Sequence, residues 1–416
     1  MASHPEPRTA STSEPVSLDA LSGLAAELSD EERGIQAQVR RFVHERFLPR
    51  IGRLFAEERF PIDLVPELAA LGLLGASLSG YGCAGLSTVQ YGLVLQELEY
   101  GDSGLRSFVS VQGSLAMYGI YAFGSEEQKQ RYLPAMARGE LIGCFGLTEP
   151  DSGSDPASLR TTARRSGSDY ILHGNKMWIT NAPIAGVALV WAKLEGQGAE
   201  SLQGFLVERG TPGLETPRIS DKLSLRASDT GQLVLDGCRV PESQRLPGAL
   251  GLRAPLACLQ QARLGISWGA TGAAKACFDS TAQYLLQREQ FGVPLAQKQL
   301  VQAALADMAS EIVKADLLSY HFSRQQDRAR QLDDMRGAGG GPKLRPEQVS
   351  LCKRNNVATA LEVARRCRGL LGANGILLEY PAMRHLMNLE SVYTYEGTHE
   401  IHTLVLGKAL TGLSAF

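Results

Sequence analysis

The chain has 416 residues, of which 44% are hydrophobic and 21% charged, with a formal net charge of −2. That length suggests two or three domains around a large core, and the composition is that of a globular protein. The charge argues against a general nucleic-acid binder, which needs a basic excess to neutralise phosphates, and leaves room only for a local basic pocket.

Residues 1–28 are expected to form a disordered tail. Met1 to Ser17 is polar and carries Glu6 and Glu14 against Arg8. It lacks both the apolar core of a secretory signal and the Arg-rich, acid-poor character of a transit peptide. Ser29-Asp30-Glu31-Glu32 is a capping-box pattern, and Ile35, Val39, Phe42, Val43 and Phe47 then fall on one helical face. Further helices are expected over 66–74, 87–100 and 113–138, making 29–142 an N-terminal helical domain. Near Gly143 the texture changes. Tyr170 to His173, Gly174-Asn175 and Lys176 to Thr180 read as two strands across a two-residue hairpin turn. With strands expected over 187–194, 202–208 and 232–235, residues 143–245 read as a central β domain. The helical period returns over 256–286, 295–324, 346–371 and 403–410, so 246–416 reads as a C-terminal helical bundle. Between them, 325–345 is charged and then Gly-rich. Pro342 precedes Lys343 where a phosphate-binding loop needs Gly, and no strand comes before it, so a surface loop is expected. The fold class is α+β, in the order helices, sheet, helices.

The seven cysteines are scattered and form no C-x-x-C pair, so neither a disulfide framework nor a zinc site is expected, and a cytoplasmic setting fits. No apolar run approaches bilayer-spanning length. Four stretches could carry chemistry. Phe145 to Asp155 is dense in small residues and hydroxyls; it reads as a turn that approaches a ring system and a phosphate, or as a linker. Trp178-Ile179-Thr180 offers a ring beside a hydroxyl, or a core Trp. Arg106, among small and apolar residues, could hold a carboxylate bidentately or lie on a helix surface. Glu396, between Tyr395 and Gly397, could be a general base with a pKa raised in an apolar cleft, or a helix-capping carboxylate. Glu396-x-x-His399 is half of a di-iron motif, but the chain has no second copy, so no metal is expected.

Taken together, these stretches resemble the acyl-CoA dehydrogenase family from about Ser29 to Phe416. Phe145 to Asp155, including Leu147, Thr148 and Ser154, resembles its flavin-contacting signature, and Trp178, Ile179 and Thr180 its flavin-ring strand. Arg288 to Gly292 with Gln299 looks like the second signature, whose Arg and Gln meet the FAD of a neighbouring subunit. Arg368 to Gly375, including Gly372, is similar to the turn over the FAD adenosine, and Thr398 and Glu400 fall beside the cofactor. The resemblance implies an N-terminal helical domain, a central β domain and a C-terminal four-helix bundle. It also implies FAD, a homo-oligomer (a tetramer by precedent) and electron-transfer flavoprotein as the electron acceptor. Finer matches resemble the members acting on glutaryl-CoA. Arg106 and Ser110, with Ser107 beside them, match the receiver of the distal carboxylate. Glu99 matches a further active-site residue, and Arg263, Ser154, Tyr395 and Gly397 fall near the substrate. Glu396 stands in the base position. Tyr395 with Glu99 resembles the decarboxylating members, which would make crotonyl-CoA. A dehydrogenase for a short or branched monocarboxylic acyl-CoA, and a flavin-binding protein without activity, remain open. Two departures stand out: the Gly-rich segment is long for this group, and Ala373 replaces a glycine, which is tolerable unless that position needs a positive φ.

Overall fold

The computed structural model describes residues 14–336 and 344–415. Its helices begin before the expected domain start. α1 (Leu18–Ser22) and α2 (Leu24–Glu27) occupy the second half of the segment read as a tail; residues 1–13 lie outside the described residues. The correction has a plain cause. Leu18 packs into the C-terminal bundle, and Leu24 and Leu28 pack with Val89, Leu93 and Trp268. Each buried leucine contributes about 2 kcal/mol.

α3 (Asp30–Phe42) starts at the expected capping box, with Ser29 Oγ accepting from Glu32 N–H and the Glu32 carboxylate accepting from Ser29 N–H. A π-helical turn over Val43–Phe47 leads into α4 (Leu48–Ala56), and α5 (Val65–Ala70) follows. A two-residue hairpin, β1 (Ser79–Gly80) with β2 (Cys83–Ala84), precedes α6 (Thr88–Gly101). α7 (Ser103–Ser110) runs through a second π-helical stretch, Val111–Met117, into α8 (Tyr118–Phe123). The single helix expected over 113–138 is broken at Gly124, because Ser125 caps a new helix, α9 (Glu126–Ala137), with its own capping box.

The central sheet has seven strands: β3 (Gly143–Gly146), β4 (Thr162–Ser166), β5 (Asp169–Thr180), β6 (Val187–Leu194), β7 (Gln203–Glu208), β8 (Leu214–Glu215) and β9 (Thr230–Pro241). They lie in the order β3-β6-β4-β5-β9-β8, with β7 also pairing to β6. The expected hairpin at Gly174-Asn175 is not formed. β5 runs straight through it and pairs antiparallel with β9 along its length. Gly174 is there for a different reason: a Cβ would fall 2.3 Å from Thr161 Oγ1. Both faces of β6 are buried. Leu189 and Trp191 face the helices with Met117 and Leu133, while Ala188 and Val190 face the inside of the curled sheet with Phe205 and Leu233.

The C-terminal part comprises α10 (Arg253–Gln287), a hairpin of β10 (Glu289–Gln290) and β11 (Val293–Pro294), α11 (Gln299–Arg336), α12 (Pro346–Leu370), α13 (Pro381–Thr394) and α14 (His399–Thr411). α10, α11, α12 and α13 share a core that includes Ile266, Ile312, Val357 and Leu389. Residues 325–336, read as part of a loop, continue α11. Asp327 accounts for this in part, because its carboxylate accepts from the N–H groups of Thr88 and Val89 and so draws the helix onto the start of α6. The glycines at 337 and 339–341 lie outside the described residues. Pro381–Thr394 was not anticipated as a helix at all.

α6 and α10 cross at very close range. A Cβ on Gly272 would lie 2.0 Å from the Gln96 carbonyl oxygen, which is backbone and cannot swing aside. Gly272→Ala should therefore cost about 2 kcal/mol through overpacking, read as a lower urea midpoint with an unchanged far-UV spectrum.

Candidate active site

The site begins at the join between α6 and α7. Asp102 ends α6, turns the chain in extended conformation and caps α7 by accepting from Gly104 N–H at 2.7 Å. Its other oxygen accepts from Arg384 Nη1 at 2.5 Å and Asn388 Nδ2 at 2.9 Å, both on α13. Asn388 Oδ1 in turn accepts from Leu225 N–H of the β domain at 2.8 Å. One buried junction thus registers all three parts of the chain.

That registration places Arg106 on α7 against Glu99 on α6. Arg106 Nε donates to Glu99 Oε2 at 2.5 Å, and the two side chains are 1% and 0% exposed. Arg106 Nη2 also donates to the Tyr395 hydroxyl, and Ser107 Oγ lies 3.4 Å from the same hydroxyl. Gly269 on α10 makes the pair possible, since a Cβ there would meet Glu99 Oε2 at 2.0 Å. Burial lowers the pKa of Arg106, but Glu99 and Tyr395 outweigh it and the net shift is upward. Ser110, one turn further along α7, keeps a buried hydroxyl with no hydrogen-bond partner.

Glu396 sits in the turn between α13 and α14 with φ at 50°, in the left-handed region that non-glycine residues avoid. The residue is half-buried, but its carboxylate oxygen Oε2 is fully enclosed and has no hydrogen-bond partner. Burial raises its pKa against the lowering effect of Arg106, Lys353 and Arg263. Arg263 Nε donates to the Glu396 carbonyl at 2.8 Å. Tyr395 is pushed up to about 12, mainly by burial, so its hydroxyl keeps its proton. A cavity of about 250 Å³ lies nearby, lined by Tyr91, Tyr118, Gln261, Leu264 and Trp268 among others. Tyr91 links this cavity to the site, since it feels the charges of both Arg106 and Glu396.

Glu99, Arg106, Ser107, Ser110, Arg263, Tyr395, Glu396 and Gly397 therefore converge. The other singled-out residues lie elsewhere. Phe145, Leu147 and Ile179 turn their side chains into the core. Thr148 is half-buried, and its carbonyl accepts from Met177 N–H at 2.9 Å, tying the signature turn to β5. A bulge in β5 opposite β9, between Lys176 and Ile179, gives Trp178 a φ of 62° and leaves it 56% exposed beside half-buried Thr180. Ser154 is exposed. Arg288 and Gln299 are exposed at the far end of α10, and 25 residues of helix separate Arg288 from Arg263, or roughly 37 Å. Arg368 is half-buried at the end of α12. Gly372 beyond it has φ at 61° and Ala373 does not have a positive φ, so the alanine is accommodated. Thr398 caps α14 through Ile401 N–H, and Glu400 is exposed in its first turn.

Sequence reasoning missed three buried groups that shape the site. Asp102, Arg384 and Asn388 form one. Another holds the signature turn: the Glu149 carboxylate accepts from Lys176 Nζ at 2.7 Å and from the N–H groups of Arg160 and Thr161. Lys353 is the third, 1% exposed on α12. It was detectable in principle, because it interrupts the stripe Val349, Asn356 and Ala360 that faces the bundle interior.

The chain belongs to the acyl-CoA dehydrogenase family. The family's N-terminal domain matches residues 29–140, its middle domain 144–238 and its C-terminal domain 250–411. Among sequence relatives, the mitochondrial short-chain specific acyl-CoA dehydrogenase of Rattus norvegicus is 34% identical over 92% of this chain and 90% of its own. Two solved structures of a glutaryl-CoA dehydrogenase from Mycobacterium smegmatis are similar at a TM-score of 0.91. One is 55% identical and covers 96% of this chain and 99% of that one. The other, a complex with FADH2, is 51% identical and covers 97% and 100%. The expected α+β architecture agrees with this family's fold. Among the described residues no helix is long and apolar enough to cross a membrane.

Glu99→Gln would leave Arg106 as a buried cation without its counter-charge. Such a break should cost about 3–5 kcal/mol, measured as the loss of unfolding free energy in a urea titration.

Proposed function

We propose that this protein is an FAD-dependent dehydrogenase of glutaryl-CoA that decarboxylates its product to crotonyl-CoA and passes electrons to an electron-transfer flavoprotein. The observation that carries this reading is a buried guanidinium, Arg106, that acts on the charge of Glu396, together with two buried polar atoms without partners: Glu396 Oε2, and Ser110 Oγ one helical turn along α7 from Arg106. An aliphatic acyl chain would leave Ser110 unsatisfied. A carboxylate at the chain's far end would accept from Ser110 and Arg106 together. The short-chain specific relative represents the rival reading, in which the acyl chain is monocarboxylic.

The residues present fit FAD. A large aromatic ring thrust out of the sheet by a bulge, as Trp178 is, stacks on no other ring among the described residues and suits a stacked ring system. Thr148, Trp178 and Thr180 would hold the flavin end. Arg288 and Gln299, at the far end of α10, suit a neighbouring subunit's cofactor, and Arg368 and Gly372 the adenosine part of FAD, which makes a homotetramer part of the proposal. FAD, when bound, supplies the acceptor for the hydride that leaves the substrate's β-carbon.

The chain's own residues do the rest. The backbone N–H of Glu396 polarises the thioester carbonyl and so acidifies the α-proton. The Glu396 carboxylate removes that proton. Its raised pKa makes it a stronger base than an exposed glutamate. Once CO2 is lost, the Glu396 carboxylic acid holds a proton that it can return to the far carbon of the dienolate. Arg106 and Ser110 orient the distal carboxylate until it departs.

Anaerobic titration of the holoprotein with glutaryl-CoA should bleach the flavin and yield crotonyl-CoA by mass. Bleaching with butyryl-CoA alone would favour the rival. Glu396→Gln should slow bleaching about 10²–10⁴-fold, and Arg106→Met should abolish the preference for glutaryl-CoA over butyryl-CoA. The pH dependence has a definite sign. The ionised form is the active one and its pKa is raised, so kcat/KM should be lost as pH falls through a value above the ordinary glutamate value of about 4.3.

A further inference from the structure

Lys353 takes no part in the reaction described above, yet it is buried against the base. Its Nζ lies 2.5 Å from the carbonyl oxygens of both Tyr395 and Gly397. Arg263 Nε donates to the carbonyl between them, that of Glu396, at 2.8 Å. Three consecutive carbonyls thus end on two cations from two different helices, α12 and α10. The residue in the middle is the one with φ at 50°. An L-residue holds that conformation only where its surroundings enforce it. Among the described residues no carboxylate forms an ion pair with Lys353, so its burial is matched by the carbonyl dipoles of this turn and by the nearby charge of Glu396.

We propose that Lys353 is a positioning residue for the base: it clamps the Tyr395–Gly397 turn in its left-handed conformation, and its charge keeps the Glu396 carboxylate ionised to lower pH. This rests on Glu396 acting as the base. The groups facing Glu396 come from every packed element. Arg106 approaches from α7, Arg263 from α10 and Lys353 from α12. Tyr91 faces it from α6, and Tyr395 adjoins it. His402 on α14 lies against the same turn, and a Cβ on Gly397 would come within 2.8 Å of its Nε2. His402 contributes no charge, since burial, with Lys353 and Arg263, brings it down to about 3 while Ser350 Oγ meets its Nδ1 at 2.9 Å. Glu99 is spent on Arg106. Lys353 itself is brought down to about 7 by burial, opposed by Glu396. As it loses its proton it keeps two N–H donors for its two carbonyls. The clamp therefore outlasts the charge as pH rises, and the two functions separate.

The test uses FAD-loaded wild type, Lys353→Met and Lys353→Gln, each reduced anaerobically by glutaryl-CoA and butyryl-CoA across pH. Methionine removes donors and charge; glutamine keeps two donors without charge. Lys353→Met should bleach about 10²-fold more slowly, with half-saturation little changed, and its acid limb should move up by about one unit. The glutamine variant should show the same upward move while keeping a larger share of the rate. A wild type reduced by neither acyl-CoA would remove Glu396 as base, and this proposal with it. A reducible wild type whose methionine variant keeps both rate and acid limb would overturn the Lys353 assignment alone. Loss of FAD by both variants would assign Lys353 to the fold and equally overturn it.

Discussion

Burying charge without leaving it unpaired is the constraint on which this molecule is built. Arg106 and Glu99 lie almost wholly out of water, 2.5 Å apart. A lone ion in such a place costs several kcal/mol. Every element around the pair is arranged to prevent that cost. α10 carries a glycine where a side chain would strike Glu99. α7 is capped by Asp102, whose other oxygen answers the buried Arg384. The same junction reaches Leu225 through Asn388. No part can form the site alone, because the Asp102–Arg384 ion pair joins the two helical parts and the Asn388–Leu225 hydrogen bond ties them to the β domain.

The reactive groups follow from the same constraint. Cations bring the Glu396 pKa down and enclosure brings it up, and the second effect wins. The result is a carboxylate more basic than an exposed glutamate. Its left-handed backbone and the bulge that ejects Trp178 are two departures from relaxed geometry. Both set a side chain where regular structure would not put it.

Much of the architecture was legible because its signals are local. Capping boxes at Ser29 and Ser87 start α3 and α6 where the hydroxyl and the following Glu or Gln can answer each other. β6 coincides with its apolar run. The misreadings share one cause, which is partners distant in sequence. Gly174-Asn175 has the composition of a hairpin turn, but β9 offers β5 a continuous edge and the turn stays open. The leucines of α1 and α2 look like isolated residues in a polar tail until α6, α10 and α11 supply the surfaces that bury them. The charged stretch after Arg324 looks soluble and loop-like, yet Asp327 has a helix N-terminus to cap more than two hundred residues away.

The candidate site divides in the same way. The residue types and order of Tyr395-Glu396-Gly397 and of Arg106 with Ser110 are properties of the chain, and they carry the family resemblance without a fold. Whether Arg106 is a surface cation or a buried one, and whether Glu396 caps a helix or faces a cleft, depended on what lay opposite. Only the packed molecule brought Glu99, Tyr395 and Lys353 to them. Local sequence determines caps, periods and donor types through contacts a few residues apart. Desolvation and charge pairing depend on how whole elements pack: Glu99 meets Arg106 across the α6–α7 join, and Tyr395, Arg263 and Lys353 reach the site from other helices, so the pKa of Glu396 and the burial of the arginine were decided by tertiary structure.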